Sequence, residues 1–140
     1  MIPLRLVIDT NVLVSAAIKP SGLQRTVVLL AFTQPARWYV SDPILSEYSR
    51  VLARPELGIR RGLRQQLVQL IKNRTHIVVP SRLPVVTTDP ADNIFVECAG
   101  AARADYLVTG NQRHFPGFWK STKIIGSREF LNLVAPHLMG

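Results

Sequence analysis

The sequence predicts an α/β fold in which a mostly parallel sheet is covered by helices on both sides. Three observations carry that expectation. Apolar strand-like runs alternate with segments of helical period along the chain. The first run, Leu4 to Ile8, is apolar apart from Arg5, as a strand buried on both faces is. It stops on Asp9-Thr10-Asn11, and open α/β sheets hold their ligands outside the carboxyl ends of the strands.

The remaining elements follow in order. Asn11 to Ile18 reads as a short helix, stopped by Pro20-Ser21-Gly22, and Leu23 to Phe32 as a second, strongly apolar one. Arg37 to Val40 reads as a strand. Ser41-Asp42-Pro43 then starts a helix, with Asp42 as its cap and Pro43 at the first helical position. Ile44, Tyr48, Val51 and Leu52 form the inner face of that helix, and Leu63, Leu67, Leu70 and Ile71 give the next one its stripe. His76 to Val79 is a short strand, followed by a turn-rich linker through Pro80, Pro84 and Pro90. Asn93 to Ala104 is helical and rich in small residues that allow close packing on a sheet. Tyr106 to Thr109 and Lys123 to Ile125 are further strands, and Glu129 to Val134 is a last helix.

At 140 residues, 47% of them hydrophobic and none in repeats, residues 1–140 are expected to form one domain with a substantial core. No apolar stretch reaches the roughly 18 residues of a membrane span, and Asp9 and Asn11 interrupt any signal-peptide core. A single cysteine, Cys98, excludes an intrachain disulfide, which fits the cytoplasm; its small-residue surroundings suggest core packing. The formal charge is +8, from 17 Lys and Arg against 9 Asp and Glu, and such a surplus favours a phosphate backbone as partner. Arg50, Arg54, Arg60, Arg61, Arg64, Lys72 and Arg74 crowd one quarter of the chain with Glu56 as the only acid among them. As a group they point to nucleic acid, although any one of them is accounted for as a solvated helix face.

With so few acids, each position is informative. Asp9 ends the first strand, where it either faces a site or caps the following helix. Glu47 lies at the margin of its helix's apolar stripe, either turned to solvent or drawn into a site. Asp89, Pro90 and Asp92 have the spacing of a helix cap, a first-turn proline and a first-turn acid, which accounts for both acids without chemistry. Glu97 faces away from the Ile94, Cys98 and Ala102 stripe, and Asp105 precedes its strand and reads as structural. Carboxylates gathered at strand ends repel one another unless a cation lies between them, and all-oxygen ligands suit Mg²⁺ or Mn²⁺. His76, His114 and His137 lack the spacing of a zinc site. No GxGxxG, Walker loop or GxSxG elbow is present.

Four segments together resemble the PIN-domain family, of the kind found as toxins of bacterial toxin–antitoxin pairs. They are Val7-Ile8-Asp9-Thr10-Asn11, Ser46-Glu47-Tyr48, Asp89-Pro90-Ala91-Asp92-Asn93 and Ala104-Asp105-Tyr106-Leu107-Val108-Thr109-Gly110-Asn111, in order over nearly the whole chain. The resemblance implies a three-layer α/β/α domain and a metal-dependent ribonuclease site. Asp9, Glu47 and Asp92 match its metal-binding acids, and Asn11 and Thr109 match positions that support the site. The chain departs from the pattern where Asn111 takes the place of the fourth acid, where His114 stands at an alternative acidic position, and where Ala91 replaces a frequent acid.

The expectation is therefore an endoribonuclease using Mg²⁺ or Mn²⁺, with Asp9, Glu47, Asp92 and Asn111 at its centre and RNA as substrate. The resemblance further implies a small cognate antitoxin and a homodimer. The alternative is a catalytically weakened module that binds RNA or protein, which Asn111 and Ala91 favour. A phosphohydrolase with an aspartyl nucleophile ranks below both, because Asn11 occupies the place of its second acid.

Overall fold

A computed structural model describes residues 4–19, 21–81 and 89–139. The first strand, β1 (Arg5–Ile8), leads directly into α1 (Thr10–Ile18) and then α2 (Leu23–Ala31). Strand β2 (Arg37–Val40) precedes α3 (Asp42–Leu52) and α4 (Arg61–Arg74), and β3 (His76–Ile77) follows. Helix α5 (Pro90–Ala102) feeds β4 (Tyr106–Val108); a hairpin of β5 (Phe118–Trp119) and β6 (Thr122–Ile125) leads to α6 (Ser127–Val134). The strands make one six-stranded sheet in the order β3-β2-β1-β4-β6-β5, parallel except for the β5–β6 pair.

Central β1 and β4 are apolar because both of their faces are covered. Leu6, Val7 and Ile8 have no exposed surface, nor have Leu107 and Val108. Helix α5 packs on β1, β2 and β4, while α6 packs on β4 and α2, and α1 joins α2 to α3. The result is the expected three-layer α/β/α arrangement. Cys98 and Ala99 let α5 approach the sheet closely, and burial pushes the Cys98 thiol up to about 12. No helix among the described residues is long and apolar enough to cross a membrane.

Local chemistry modifies several sequence expectations. The cap of α3 is Ser41, whose Oγ accepts from the Ile44 amide, while Asp42 is the first helical residue and supports the helix dipole instead. Asp89 caps α5 as expected, accepting from the Ala91 amide at 3.0 Å, so that helix starts at Pro90 rather than at Asn93. The α4 stripe forms, but only Ile71 is fully buried; Leu63 is 57% exposed because α4 sits outside the sheet against α3. Strand β3 is shorter than expected: Val78 still donates to the Val40 carbonyl, and the chain then leaves the sheet. The β5 strand was not foreseen, since Lys120-Ser121 is not a common hairpin dipeptide, yet Lys120 adopts the required positive φ of 52°. Pro20 and Pro84 of the expected turns lie outside the described residues.

Tyr48 ties α3 to the sheet. It has no exposed surface, and its hydroxyl donates to the carbonyl of Ile8, the residue before Asp9. Tyr48→Phe removes the donor from a buried carbonyl and is expected to cost about 1–3 kcal/mol. Chemical denaturation checks this; a variant as stable as the parent overturns the clamp.

Candidate metal-dependent active site

Strand register sets the first contact of the site. Leu6, Val7 and Ile8 of β1 stand opposite Tyr106, Leu107 and Val108 of β4, so the next residue on each strand, Asp9 and Thr109, emerge side by side. The Thr109 hydroxyl donates to Asp9 Oδ2 at 2.7 Å, and the Asn111 amide donates to the same hydroxyl at 3.0 Å. Thr109 is fully buried and acts from beneath Asp9. Asp9 occupies the cap position of α1, but its side chain makes no cap hydrogen bond. The capping account of Asp9 therefore fails, and the carboxylate lines a cleft instead.

Asn11, in the first turn of α1, crosses to the same loop. Its Oδ1 accepts from the Gly110 amide at 3.0 Å, and a Cβ at position 110 would stand only 3.3 Å from that oxygen. A larger residue there would require Asn11 to give by a few tenths of an ångström. Glu47 enters from α3: the Thr10 hydroxyl donates to its Oε2, and Arg50 Nη2 lies 3.4 Å from its Oε1. Asp92 enters from the first turn of α5. His114 Nδ1 stands 3.2 Å from its Oδ2, brought there by the helical turn Gln112–His114 in which the His114 amide donates to the Asn111 carbonyl.

These elements open onto one cleft of about 560 Å³, lined by Asp9, Asn11, Glu47, Asp92 and Asn111, with Arg50 and Arg54 at its side. Ala91, Asp89 and Glu56 line it as well, so five of the nine acids of a chain of charge +8 meet in one hollow. Asp105 stays apart and is structural, its Oδ2 accepting from the Arg5 amide at 2.8 Å. Sequence reading missed Thr10, Arg50 and the His114–Asp92 contact. All of these residues stand in segments that the sequence marks out, but their contacts depend on how a helix and a loop turn toward the cleft.

Electrostatics mark Asp9 as the strained member. It is 4% exposed, and burial pushes its carboxyl up to about 6; the Thr109 hydrogen bond opposes that rise, and the charges of Asp92 and Glu47 add to it. Asp92 is also raised, by burial first and then by Asp89, while His114 acts against the rise. The donor chemistry fits a hard divalent cation, being all oxygen and short of positive charge. As placed, the carboxylates are engaged by Thr10, Arg50, Thr109 and His114. Among the described residues no three His, Cys, Asp or Glu side chains stand close enough together to hold an ion.

A raised carboxyl binds its proton more tightly in the folded than in the unfolded state. Its contribution is most favourable below the unfolded value of 3.8 and is lost as pH rises through about 6. At neutral pH the charged Asp9 thus costs up to about 3 kcal/mol. In chelator, Asp9→Asn is expected to melt above the parent at pH 7.5 and level with it near pH 4, as measured by thermal denaturation. A variant that is less stable at pH 7.5 contradicts the burial penalty.

Comparison with known proteins agrees with this architecture. The chain is 29% identical over 114 residues to the uncharacterized protein MJ1680 of Methanocaldococcus jannaschii, covering 79% of this chain and 73% of that protein. It superposes on a chain of VapBC2 from Rickettsia felis, solved bound to a DNA fragment from their promoter. The TM-score is 0.60 at 16% identity, covering 88% of this chain and 98% of the other. A chain of VapBC-1 from nontypeable Haemophilus influenzae gives a TM-score of 0.54 at 13% identity, covering 79% and 90%. At such identities these structures speak to the fold. The PIN domain family model matches residues 5–113, which include the Asp9 strand end, Glu47, Asp92 and the Thr109-Gly110-Asn111 turn, and the chain belongs to the PIN-domain family.

Proposed function

We propose that this protein is a metal-dependent endoribonuclease whose cleft holds Mg²⁺ or Mn²⁺ through Asp9, Glu47 and Asp92. The observation that carries the reading is the concentration of acids in one hollow of a basic protein, with the most buried of them, Asp9, at its base. Such a cleft repels a phosphodiester until a cation occupies it. When bound, a divalent cation supplies Lewis acidity at the phosphoryl oxygen and lowers the pKa of an attacking water.

The chain's own residues have separable tasks in this reading. Thr109 fixes the Asp9 carboxylate through Oδ2, and the Thr10 amide also favours its charged form. Asn11 holds the turn at Gly110, which carries Asn111 to the fourth position of the site. Asn111 contributes a carbonyl oxygen without charge. Arg50 and His114 are the partners of Glu47 and Asp92, and a cation held by these carboxylates would take the place of both contacts. Arg50 is then free to meet the substrate phosphate as a bidentate donor. Single-stranded RNA suits the cleft best, because its unstacked bases are open to recognition.

The likeness to VapBC chains supports a toxin role with an antitoxin partner, and a homodimer is what the sequence resemblance implies. A lone, fully buried cysteine is compatible with a cytoplasmic setting. A second reading has its own support: Asn111 and Ala91 remove two charges from the family pattern, and the carboxylates already have internal partners. On that reading the protein binds RNA or protein without cleaving.

Cleavage of a fluorogenic single-stranded RNA in Mn²⁺ decides between them. Asp92→Asn and Asp9→Asn are expected to abolish the activity with the circular dichroism spectrum unchanged. Parent-like cleavage by both variants excludes the catalytic assignment.

Asn111→Asp restores a charge at the fourth position. It is expected to bind Mn²⁺ more tightly and to show the larger metal-induced rise in melting temperature, while starting lower in chelator. Binding at about 100 times the dissociation constant is worth about 2.7 kcal/mol, well within reach of a thermal shift. Unchanged Mn²⁺ affinity places Asn111 outside the metal site.

A further inference from the structure

The basic residues crowded between positions 50 and 74 have no part in the site described so far, apart from Arg50 and Arg54. Their placement is not a uniform solvated face. Between α3 and α4 the surface carries two adjoining hollows, of about 600 and 350 Å³. The first shares Arg50 with the catalytic cleft, and the two share Ser49 and Lys72 with each other. The cleft and both hollows therefore lie in series, with Arg50 between the cleft and the first hollow and Ser49 and Lys72 between the two hollows, and this row is the groove. It leaves the acids at Arg50, passes Ser46 and Ser49, and runs along α4 by Lys72 and Gln69 to Arg64. Lys72 and Arg64 are about 12 Å apart by helix rise.

We infer that this groove is the track on which the cleft's RNA strand continues beyond the cleavage point. The choice of RNA rests on the nuclease reading; the track itself rests on the geometry. Hydroxyls, amides and cations are the groups that bind phosphate and ribose without regard to base. Asp42 is the single carboxylate lining these hollows. Neither Lys72 nor Arg64 has a carboxylate within ion-pair distance among the described residues. The exposed leucines of α4, Leu63 and Leu70, line neither hollow, which favours a polyanion over an apolar protein partner.

The cleft and the track are thereby opposite in charge. Acids at the centre gather a cation, and cations alongside hold the strand on either side of neutrality. Arg50 stands at the junction and faces both.

The test measures binding in chelator, where no cleavage occurs, to single-stranded RNAs of about four and about sixteen nucleotides. Lys72→Glu and, independently, Gln69→Glu place a negative charge in the groove without altering the cleft. Lys120→Glu, on the β5–β6 turn, makes the same charge change as Lys72→Glu at a site outside the groove. Lys72→Glu is expected to weaken the longer RNA about tenfold and to flatten its log–log salt slope by about 0.7 per phosphate lost. Gln69→Glu is expected to act in the same direction. The short RNA, and both RNAs with Lys120→Glu, are expected to change far less.

Equal weakening by Lys72→Glu and Lys120→Glu, or equal effects on both lengths, overturns the track. Cleavage of the short RNA in Mn²⁺ is scored separately. Groove-dependent binding without cleavage by any variant leaves the track standing and removes the nuclease reading. Mn²⁺-dependent cleavage with no groove dependence does the reverse.

Discussion

The hydrogen bond from Thr109 to Asp9 joins residues a hundred positions apart at the point where two buried strands end. The site is organised around the charge it holds. A carboxylate with 4% exposure is unfavourable in any folded protein unless something offsets its desolvation. Here the offsets within the chain are incomplete: Thr109 lowers the penalty, and burial, Asp92 and Glu47 raise it by more. The flush register of β1 with β4 fixes the position, and Tyr48 anchors the strand end from α3. A core of apolar strands and close-packed helices tolerates one such cost in the cleft.

The distribution of charge continues this theme. The cations outnumber the acids, yet five of the nine acids line one cleft, with Arg50 and Arg54 beside them. The contacts Arg50–Glu47 and His114–Asp92 set basic side chains beside two of the cleft's acids, which eases the mutual repulsion of the carboxylates. Replacement of family acids by Asn111 and Ala91 works in the same direction. Together these features lessen the crowding of negative charge in the cleft. That balance explains why a nuclease and a quiet binding module make opposite predictions for the same few residues.

How much of this was legible in the sequence depended on distance along the chain. Local patterns were enough for β1 and its terminal Asp9, for the Asp89-Pro90 start of α5, and for Cys98 as a core thiol, because each is a matter of neighbours within one or two turns. The four separated motifs carry the family resemblance without reference to the fold. The shorter β3, the outlying position of α4 and the β5 hairpin were not legible. Their state depends on what each packs against, and an apolar stripe such as that of α4 does not say how much of itself a neighbour covers.

For the site the division is similar. The sequence by itself determined which acids are available, that Asn111 stands where a fourth acid is usual, and that positive charge exceeds negative. Only the tertiary structure decided that Asp9 serves the cleft instead of capping α1, that His114 reaches Asp92, and that Arg50 stands between cleft and groove. The reason is physical. Residue types are properties of the chain, but desolvation and Coulomb energies depend on separations in space, and sheet register and helix packing set those separations.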